Sequence, residues 1–177
     1  MCSGTLASYI VTLTGCCYRC LHCNAYRISQ YPDPGWQYAG HVPAAVLVAN
    51  ARERIVAYRG PRIRMIGFTG GDPIIHLPYI EEVAAEVERQ GLDLSIGIST
   101  GGFGTLEAME RIVDLCRTIT LEIKAFTDPV HRALTGAPVA PVLRNAEHLV
   151  HEGRDRIRVF RTVVIPGMTD REVGDIA

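Results

Sequence analysis

The sequence contains no long hydrophobic run, no signal-like leader and no patch of a single charge. Its longest apolar stretch, from Val42 to Ala49, is interrupted by Pro43 and is too short to cross a bilayer. The first residues carry no positive charge, so a secretory signal is not indicated. The 18 basic and 19 acidic residues are interspersed, which argues against a nucleic-acid-binding surface. We therefore expect a cytoplasmic protein that binds neither a membrane nor nucleic acid.

Cysteines are too few for a disulfide-stapled domain, since the 177 residues contain six. Three of them nevertheless lie close together, at Cys16, Cys20 and Cys23, with the spacing C-x3-C-x2-C. Three thiolates in one tight loop hold three corners of a [4Fe–4S] cube and leave one iron open. Because an open iron can bind a substrate or cofactor, the spacing predicts a site for chemistry rather than for electron storage alone. Unpaired thiols and an oxygen-sensitive cluster both indicate a reducing compartment.

Two other interpretations of the cysteine loop stay open. With Cys17 in place of Cys16, the spacing becomes C-x2-C-x2-C, the beginning of a ferredoxin motif. That motif needs a further cysteine four positions later, where this chain has Arg27. A structural zinc site would have to use Cys17, His22 and the two later cysteines, which are too crowded for a good tetrahedron. We therefore interpret Cys17 as a bystander thiol.

Strand-like and helix-like segments alternate along the chain. The β-branched and apolar runs predict strands at residues 8–13, 63–68, 94–98, 119–123 and 156–165. Helical spacing of apolar residues predicts helices at 43–58, 78–90, 105–116, 128–134, 141–152 and 170–177. This order predicts one domain, residues 1–177, with a parallel sheet and helices outside it. The long irregular segment Gln30 to His41 is interpreted as a lid or substrate contact.

Residues with a chemical interpretation follow the carboxyl ends of the predicted strands. Functional groups of parallel α/β proteins gather at that edge of the sheet. Glycines let the backbone approach a ligand closely, and charged residues two positions apart on a strand share one face. The candidates are Cys16, Cys20, Cys23, Gly70, Gly71, Asp72, Ser99, Thr100, Glu122, Lys124 and the pair Pro166-Gly167.

The cysteine loop and Thr69-Gly-Gly-Asp-Pro73 together resemble the radical S-adenosylmethionine (radical SAM) family. The segments Leu121 to Gly136 and Arg161 to Asp170 resemble pyruvate formate-lyase activating enzyme and its relatives. The segments Cys23 to Ser29 and Gly70 to Pro78 resemble the uncharacterised archaeal and bacterial homologues of that enzyme. The resemblance implies a partial parallel (β/α) barrel, with about five of the usual six βα units recognisable. The final unit is missing from the pattern, so we expect either a minimal or a C-terminally truncated barrel.

The family resemblance also implies two cofactors, a [4Fe–4S] cluster on the three cysteines and SAM. In that family, reductive cleavage of SAM gives a 5′-deoxyadenosyl radical that abstracts hydrogen from a substrate. Gly70, Gly71 and Asp72 match the loop that meets the SAM amino group. The remaining cofactor-binding candidates are His22, where the family usually has an aromatic residue beside the adenine, Ser99 and Thr100 on the far side of SAM, and Glu122 and Lys124 around the cavity.

The resemblance further implies two kinds of partner. One is an electron donor such as flavodoxin or ferredoxin, and the other is a glycyl-radical enzyme as the protein substrate. Homologues of this kind act on other substrates, so that alternative stays open. A second alternative is a non-catalytic [4Fe–4S]-binding or electron-transfer module, which the missing final unit suggests.

Overall fold

A computed structural model gives the structure of the chain and describes residues 7–29 and 40–176. Within these residues, five parallel strands form one sheet in chain order. The strands are β1 Ala7–Leu13, β2 Ile63–Gly70, β3 Ser95–Thr100, β4 Thr118–Glu122 and β5 Ile157–Arg161. The helices are α1 Tyr26–Ser29, α2 Ala44–Ala57, α3 Leu77–Arg89, α4 Leu106–Leu115, α5 Asp128–Thr135, α6 Ala140–Glu152 and α7 Val173–Ile176, with short 3-10 helices at Pro73–His76 and Arg154–Arg156. The α/β class and the parallel pairing predicted from the sequence are confirmed.

The apolar pattern of the sequence explains how these elements pack. The inner strands are almost continuously apolar because helices cover a parallel sheet, and Ile66, Phe68 and Ile119 are fully buried. The helices bury one stripe each, as α3 does through Ile80 and Val83. These side chains join in one core cluster between sheet and helices. The core thereby fixes the carboxyl ends of the strands at one edge, where the candidate residues lie.

The prediction and the structure differ at three elements. The fifth strand ends at Arg161 rather than at Ile165, because the Ile165 N–H donates to the Thr169 hydroxyl inside a turn. Helix α7 is shorter than predicted, since residues 170–172 form turns. The short helix α1 was not predicted from the sequence. Most of the segment interpreted as a lid, residues 30–39, lies outside the described residues, and its role stays a prediction.

The ends of the sheet are consistent with a partial barrel. Strands β1 and β5 are its outer strands in the described part of the chain, and each pairs on one side, with β2 and β4 respectively. All five strands point the same way, so their carboxyl ends form a single rim. None of the helices in the described residues is both long and apolar enough to cross a membrane.

Candidate functional site

One cavity of about 450 Å³ lies at the carboxyl ends of the strands. Every individually predicted cofactor-binding or metal-binding residue lines it, namely Cys16, Cys20, His22, Cys23, Gly70, Gly71, Asp72, Ser99, Thr100, Glu122 and Lys124. The Pro166-Gly167 pair does not line it, because β5 ends earlier and these residues belong to a turn. Arg161 and Val163 line the cavity from that strand instead.

The cysteine loop is fixed by backbone hydrogen bonds to two helices. The Gly15 N–H donates to the Ile28 carbonyl of α1 at 2.8 Å. On the other side, the N–H groups of Arg19 and Leu21 donate to carbonyls at the end of α5, at 2.8 and 2.9 Å. The last carbonyl groups of a helix have no partner within the helix, so these contacts also provide the helix ends with hydrogen-bond donors. The loop therefore has a defined conformation from its backbone alone.

The four cysteines of the loop divide into two groups. Cys16, Cys20 and Cys23 line the cavity, whereas Cys17 does not. The Cys17 sulfur lies 3.8 Å from the Phe103 carbonyl oxygen and 4.0 Å from the Asp72 carboxylate, on the buried side of the loop. This division matches the C-x3-C-x2-C spacing and is unfavourable for a ferredoxin-like set that uses Cys17.

Local contacts set the thiol chemistry. The adjacent Cys17 thiol, as a hydrogen-bond donor, lowers the pKa of Cys16 to about 7. Burial raises the pKa of Cys20 to about 11. The Cys23 sulfur lies 3.2 Å from the Ser29 hydroxyl, which itself donates to the Ala25 carbonyl. A bound metal ion favours the thiolate form of its cysteine ligands, which would counteract the raised pKa of Cys20.

A small metal site on the buried side is a geometric alternative. One ligand atom each from Cys16, Cys17 and Asp72 lie within 4.8 Å of one another. The Asp72 carboxylate, however, already accepts hydrogen bonds from Thr100 and from backbone N–H groups. Recruiting it to a metal would leave these buried donors without an acceptor, which is costly. The arrangement favours the sulfurs that face the cavity.

The Gly-Gly turn locks the cysteine loop to the second strand. The Gly71 N–H donates to the Leu13 carbonyl at 2.8 Å, and the Asp72 N–H donates to the Gly15 carbonyl at 2.9 Å. A Cβ atom on Gly71 would lie 1.7 Å from the Gly15 carbonyl oxygen. Gly70 has a φ of +112°, a conformation that other residues rarely adopt. The sequence predicts that these glycines let a ligand approach, but in the structure a Cβ atom on Gly70 would meet the backbone of Leu13, and one on Gly71 would meet the backbone of Gly15.

Asp72 connects the ends of β2 and β3. It is 2% exposed and accepts hydrogen bonds from the Thr100 hydroxyl at 2.5 Å, the Gly101 N–H at 3.1 Å and the Ile74 N–H at 3.3 Å. Burial raises the pKa of this carboxyl group above its ordinary value. The single hydroxyl proton of Thr100 is used here, whereas Ser99 and Thr69 also line this part of the cavity and carry further hydroxyl groups.

The opposite wall of the cavity is charged. Glu122 forms ion pairs with both Lys124 and Arg161. The Arg161 guanidinium also donates to the Ser99 hydroxyl at 3.2 Å. One carboxylate and two cations leave this wall with a net positive charge. Arg161 was not predicted as a site residue, because the sequence pattern places it inside a longer strand rather than at a strand end.

Two aromatic rings belong to the loop itself. The Tyr18 side chain is 2% exposed, and its hydroxyl donates to the Gly101 carbonyl at 3.0 Å. It packs edge-on against the buried His131, with ring centroids 5.6 Å apart. Neither ring nitrogen of His22 is exposed or has a hydrogen-bond partner among the described residues. Burial lowers the pKa of His22, which favours the neutral ring.

The chain matches known proteins over nearly its whole length. A family model described as the Radical SAM superfamily matches residues 10–177. Proteins named pyruvate formate-lyase-activating enzyme from Staphylococcus epidermidis and Staphylococcus aureus are each 26% identical over 170 residues, or 92% of the chain. The chain spans 63% of the length of these curated relatives.

Solved structures share the fold at low sequence identity. A structure described as native anSMEcpe with bound AdoMet aligns with a TM-score of 0.67 and 14% identity, covering 95% of this chain and 49% of that one. Streptococcus suis SuiB bound to precursor peptide SuiA aligns with a TM-score of 0.61 and 13% identity, covering 97% of this chain and 36% of that one. These likenesses confirm the architecture of the sheet and its helices.

Proposed function

The chain belongs to the Radical SAM superfamily, and from this membership we propose that it carries the cofactor site of an activating-enzyme-like radical SAM enzyme. The cofactors of the superfamily are a [4Fe–4S] cluster and SAM. Together they supply reductive cleavage of the SAM sulfonium and a 5′-deoxyadenosyl radical that abstracts hydrogen from a substrate. The single observation that carries the proposal is that three thiols, the Gly-Gly turn and a charged wall face one cavity.

In this proposal, Cys16, Cys20 and Cys23 hold the cluster. The fit rests on the donor set, because these sulfurs face the cavity while the fourth thiol of the loop, Cys17, points away from it. Three thiolates on one anchored loop match three corners of the cube. The backbone contacts of the loop keep these sulfurs on the same side without any contribution from the metal.

The charged wall would bind the amino-acid part of SAM. Lys124 and Arg161 provide two cations against the one carboxylate of Glu122, so the wall attracts an added carboxylate. The Ser99 hydroxyl lies beside Arg161 and provides a further polar contact. Gly70, Gly71 and Asp72 would form the opposite wall and orient the amino group. The planar ring of His22 lines the cavity and would lie beside the adenine.

We further propose a glycyl-radical enzyme as the substrate, as for pyruvate formate-lyase-activating enzymes. The support is the 26% identity to these relatives over 92% of the chain. An electron donor such as flavodoxin or ferredoxin would reduce the cluster. The alternative, a module that binds a cluster without catalysis, is not favoured, since the chain retains thiols, turn and charged wall around a cavity large enough for a ligand.

Anaerobic reconstitution tests the cluster assignment. We expect about four irons per chain, as a single cubane requires, and loss of the cluster in Cys16→Ala, Cys20→Ala and Cys23→Ala. Cys17→Ala is the matched control from the same loop and should keep its iron. A chain that needs Cys17 and not Cys16 would contradict the assignment.

Chemistry is tested separately with dithionite and SAM. The reconstituted protein should release 5′-deoxyadenosine, measured by chromatography, and the cysteine variants that lose iron should not. The contrary result is a protein that holds its cluster and binds SAM but releases no 5′-deoxyadenosine, even when a glycyl-radical enzyme is added. This result would contradict the enzymatic proposal and favour the non-catalytic alternative.

A further inference from the structure

The cysteine loop has an outer face that the cavity does not use. Cys20 and His22 line the cavity, but Leu21 between them is not part of its lining. Leu21 is 79% exposed, and Tyr26 on the neighbouring helix α1 is 50% exposed. A protein in contact with Leu21 would therefore be separated from the proposed cluster site by a single residue. Such proximity suits electron transfer and has no evident use in binding SAM.

The charged residues beside Leu21 are mostly basic. Residues 7–29 contain two arginines, Arg19 and Arg27, and no aspartate or glutamate. Both arginines are exposed, as is Arg132 on helix α5, which borders the loop. Asp128, the acidic residue of α5, is paired with Arg132 at 2.6 Å. The chain as a whole has a formal net charge of −1, so this positive surface is a local feature.

From this arrangement, and resting on the proposed function, we infer that Leu21, Tyr26, Arg19 and Arg27 form the docking surface for an acidic flavodoxin. The arginines would attract and orient the acidic partner by charge complementarity. Leu21 and Tyr26 would meet the apolar dimethylbenzene edge that a bound flavin exposes. One electron passes from the reduced flavin to the oxidised cluster, so the flavin is oxidised by one electron and the cluster is reduced by one. A ferredoxin, which lacks that apolar edge, is the competing occupant.

The test uses holoprotein with its cluster, an acidic flavodoxin as the probe, and the variants Leu21→Glu and Arg27→Glu. Calorimetry gives the affinity, and stopped-flow bleaching of the cluster absorbance gives the second-order rate of reduction. At low ionic strength, we expect each variant to slow this rate about tenfold or more, with a smaller difference at high salt. Arg59→Glu is the matched control, because this exposed arginine precedes β2 and lies at the opposite edge of the sheet. Arg59→Glu should have the same rate of reduction by flavodoxin and the same flavodoxin affinity as the unaltered protein.

Reduction by dithionite separates a docking defect from a damaged site. All variants should keep their iron content and their rate of reduction by dithionite. If Leu21→Glu loses its cluster, Leu21→Ala takes its place in the test. Leu21→Ala removes the apolar contact without adding charge and should also weaken flavodoxin binding. Unchanged flavodoxin rates in Leu21→Glu and Arg27→Glu would overturn the docking surface. The same rates are measured with a ferredoxin as a second probe, and variants that slow reduction by the ferredoxin but not by the flavodoxin would overturn the choice of partner.

Failure of the docking inference and failure of the proposed function give different results. If the unaltered holoprotein is reduced by dithionite but releases no 5′-deoxyadenosine, the proposed function fails and the affinity measurements still decide the docking surface. If it releases 5′-deoxyadenosine with dithionite while flavodoxin binds equally well to all variants, only the docking inference fails.

Discussion

The two carboxylates of the cavity are held in opposite ways. Asp72 is buried and accepts hydrogen bonds from uncharged donors, the Thr100 hydroxyl and backbone N–H groups. The Glu122 side chain is 23% exposed and is paired with the cations of Lys124 and Arg161. We call the side with Gly71, Asp72 and Thr100 the Asp72 wall, and the side with Ser99, Glu122, Lys124 and Arg161 the Glu122 wall. The difference indicates that the Asp72 wall is held in place by hydrogen bonds of the fold itself, whereas the Glu122 wall carries charges that are available to a ligand.

Gly71→Val should have the largest effect, because it breaks the Asp72 wall where that wall meets the cysteine loop. A Cβ atom at this position would lie 1.7 Å from the Gly15 carbonyl oxygen, so the loop has to move. We expect almost complete loss of iron after anaerobic reconstitution, measured by iron analysis and absorbance. Gly174→Ala is the control, since a Cβ there meets nothing within 4 Å. Normal iron content in Gly71→Val would show that the Gly-Gly turn serves the ligand and not the loop.

Asp72→Ala should be next in size, since it leaves the Thr100 hydroxyl and two buried N–H groups without their acceptor. We expect the free energy of unfolding to fall by about 3 kcal/mol, at the upper end for unsatisfied buried groups. Chemical denaturation of the apoprotein measures this change. Asp114→Ala, at an exposed position on α4, is the matched control. Equal stability of the two variants would remove the distinction between the walls.

Lys124→Met tests the Glu122 wall and should affect binding rather than folding. Glu122 keeps Arg161 as its partner, so the free energy of unfolding should change by less than about 1 kcal/mol. The net charge of the wall falls to zero, and we expect the affinity for SAM to drop about tenfold, or about 1.4 kcal/mol, by calorimetry on reconstituted protein. A large loss of stability with unchanged SAM affinity would reverse the roles of the two walls.

The smallest effect concerns His131, which packs behind the Asp72 wall against Tyr18. Burial lowers the pKa of His131 below its ordinary value of 6.5. Between the lowered value and 6.5, the unfolded chain binds more protons than the folded one, so stability is present above this window and is lost as the pH falls through it. The melting temperature should therefore decrease on acidification, and the decrease should be shallower in His131→Asn. His151→Asn, at an exposed position, should keep the original slope, and equal slopes in all the proteins would rule out His131 as the cause.

The positions of the cavity residues could be predicted because each motif follows a strand of a parallel sheet. Cys16, Gly70 and Thr100 lie far apart in the sequence, yet the common direction of the strands brings them to one rim. The partner of each polar group could not be predicted in this way. That Thr100 donates to Asp72 depends on the distance between two strand ends, which sequence spacing does not encode. Arg161 was missed because the β-branched residues after it, including Val163, continue the strand pattern beyond the end of the strand.

The contact between the cysteine loop and helix α5 also has a consequence for biosynthesis. The N–H groups of Arg19 and Leu21 bond to carbonyls of Thr135 and Leu134, which are translated only after β4. During synthesis, the cysteines therefore leave the ribosome on a segment whose final anchor does not yet exist. A cluster delivered to the nascent chain would meet a loop that is still unanchored. We therefore expect iron–sulfur insertion to follow folding of the fourth βα unit.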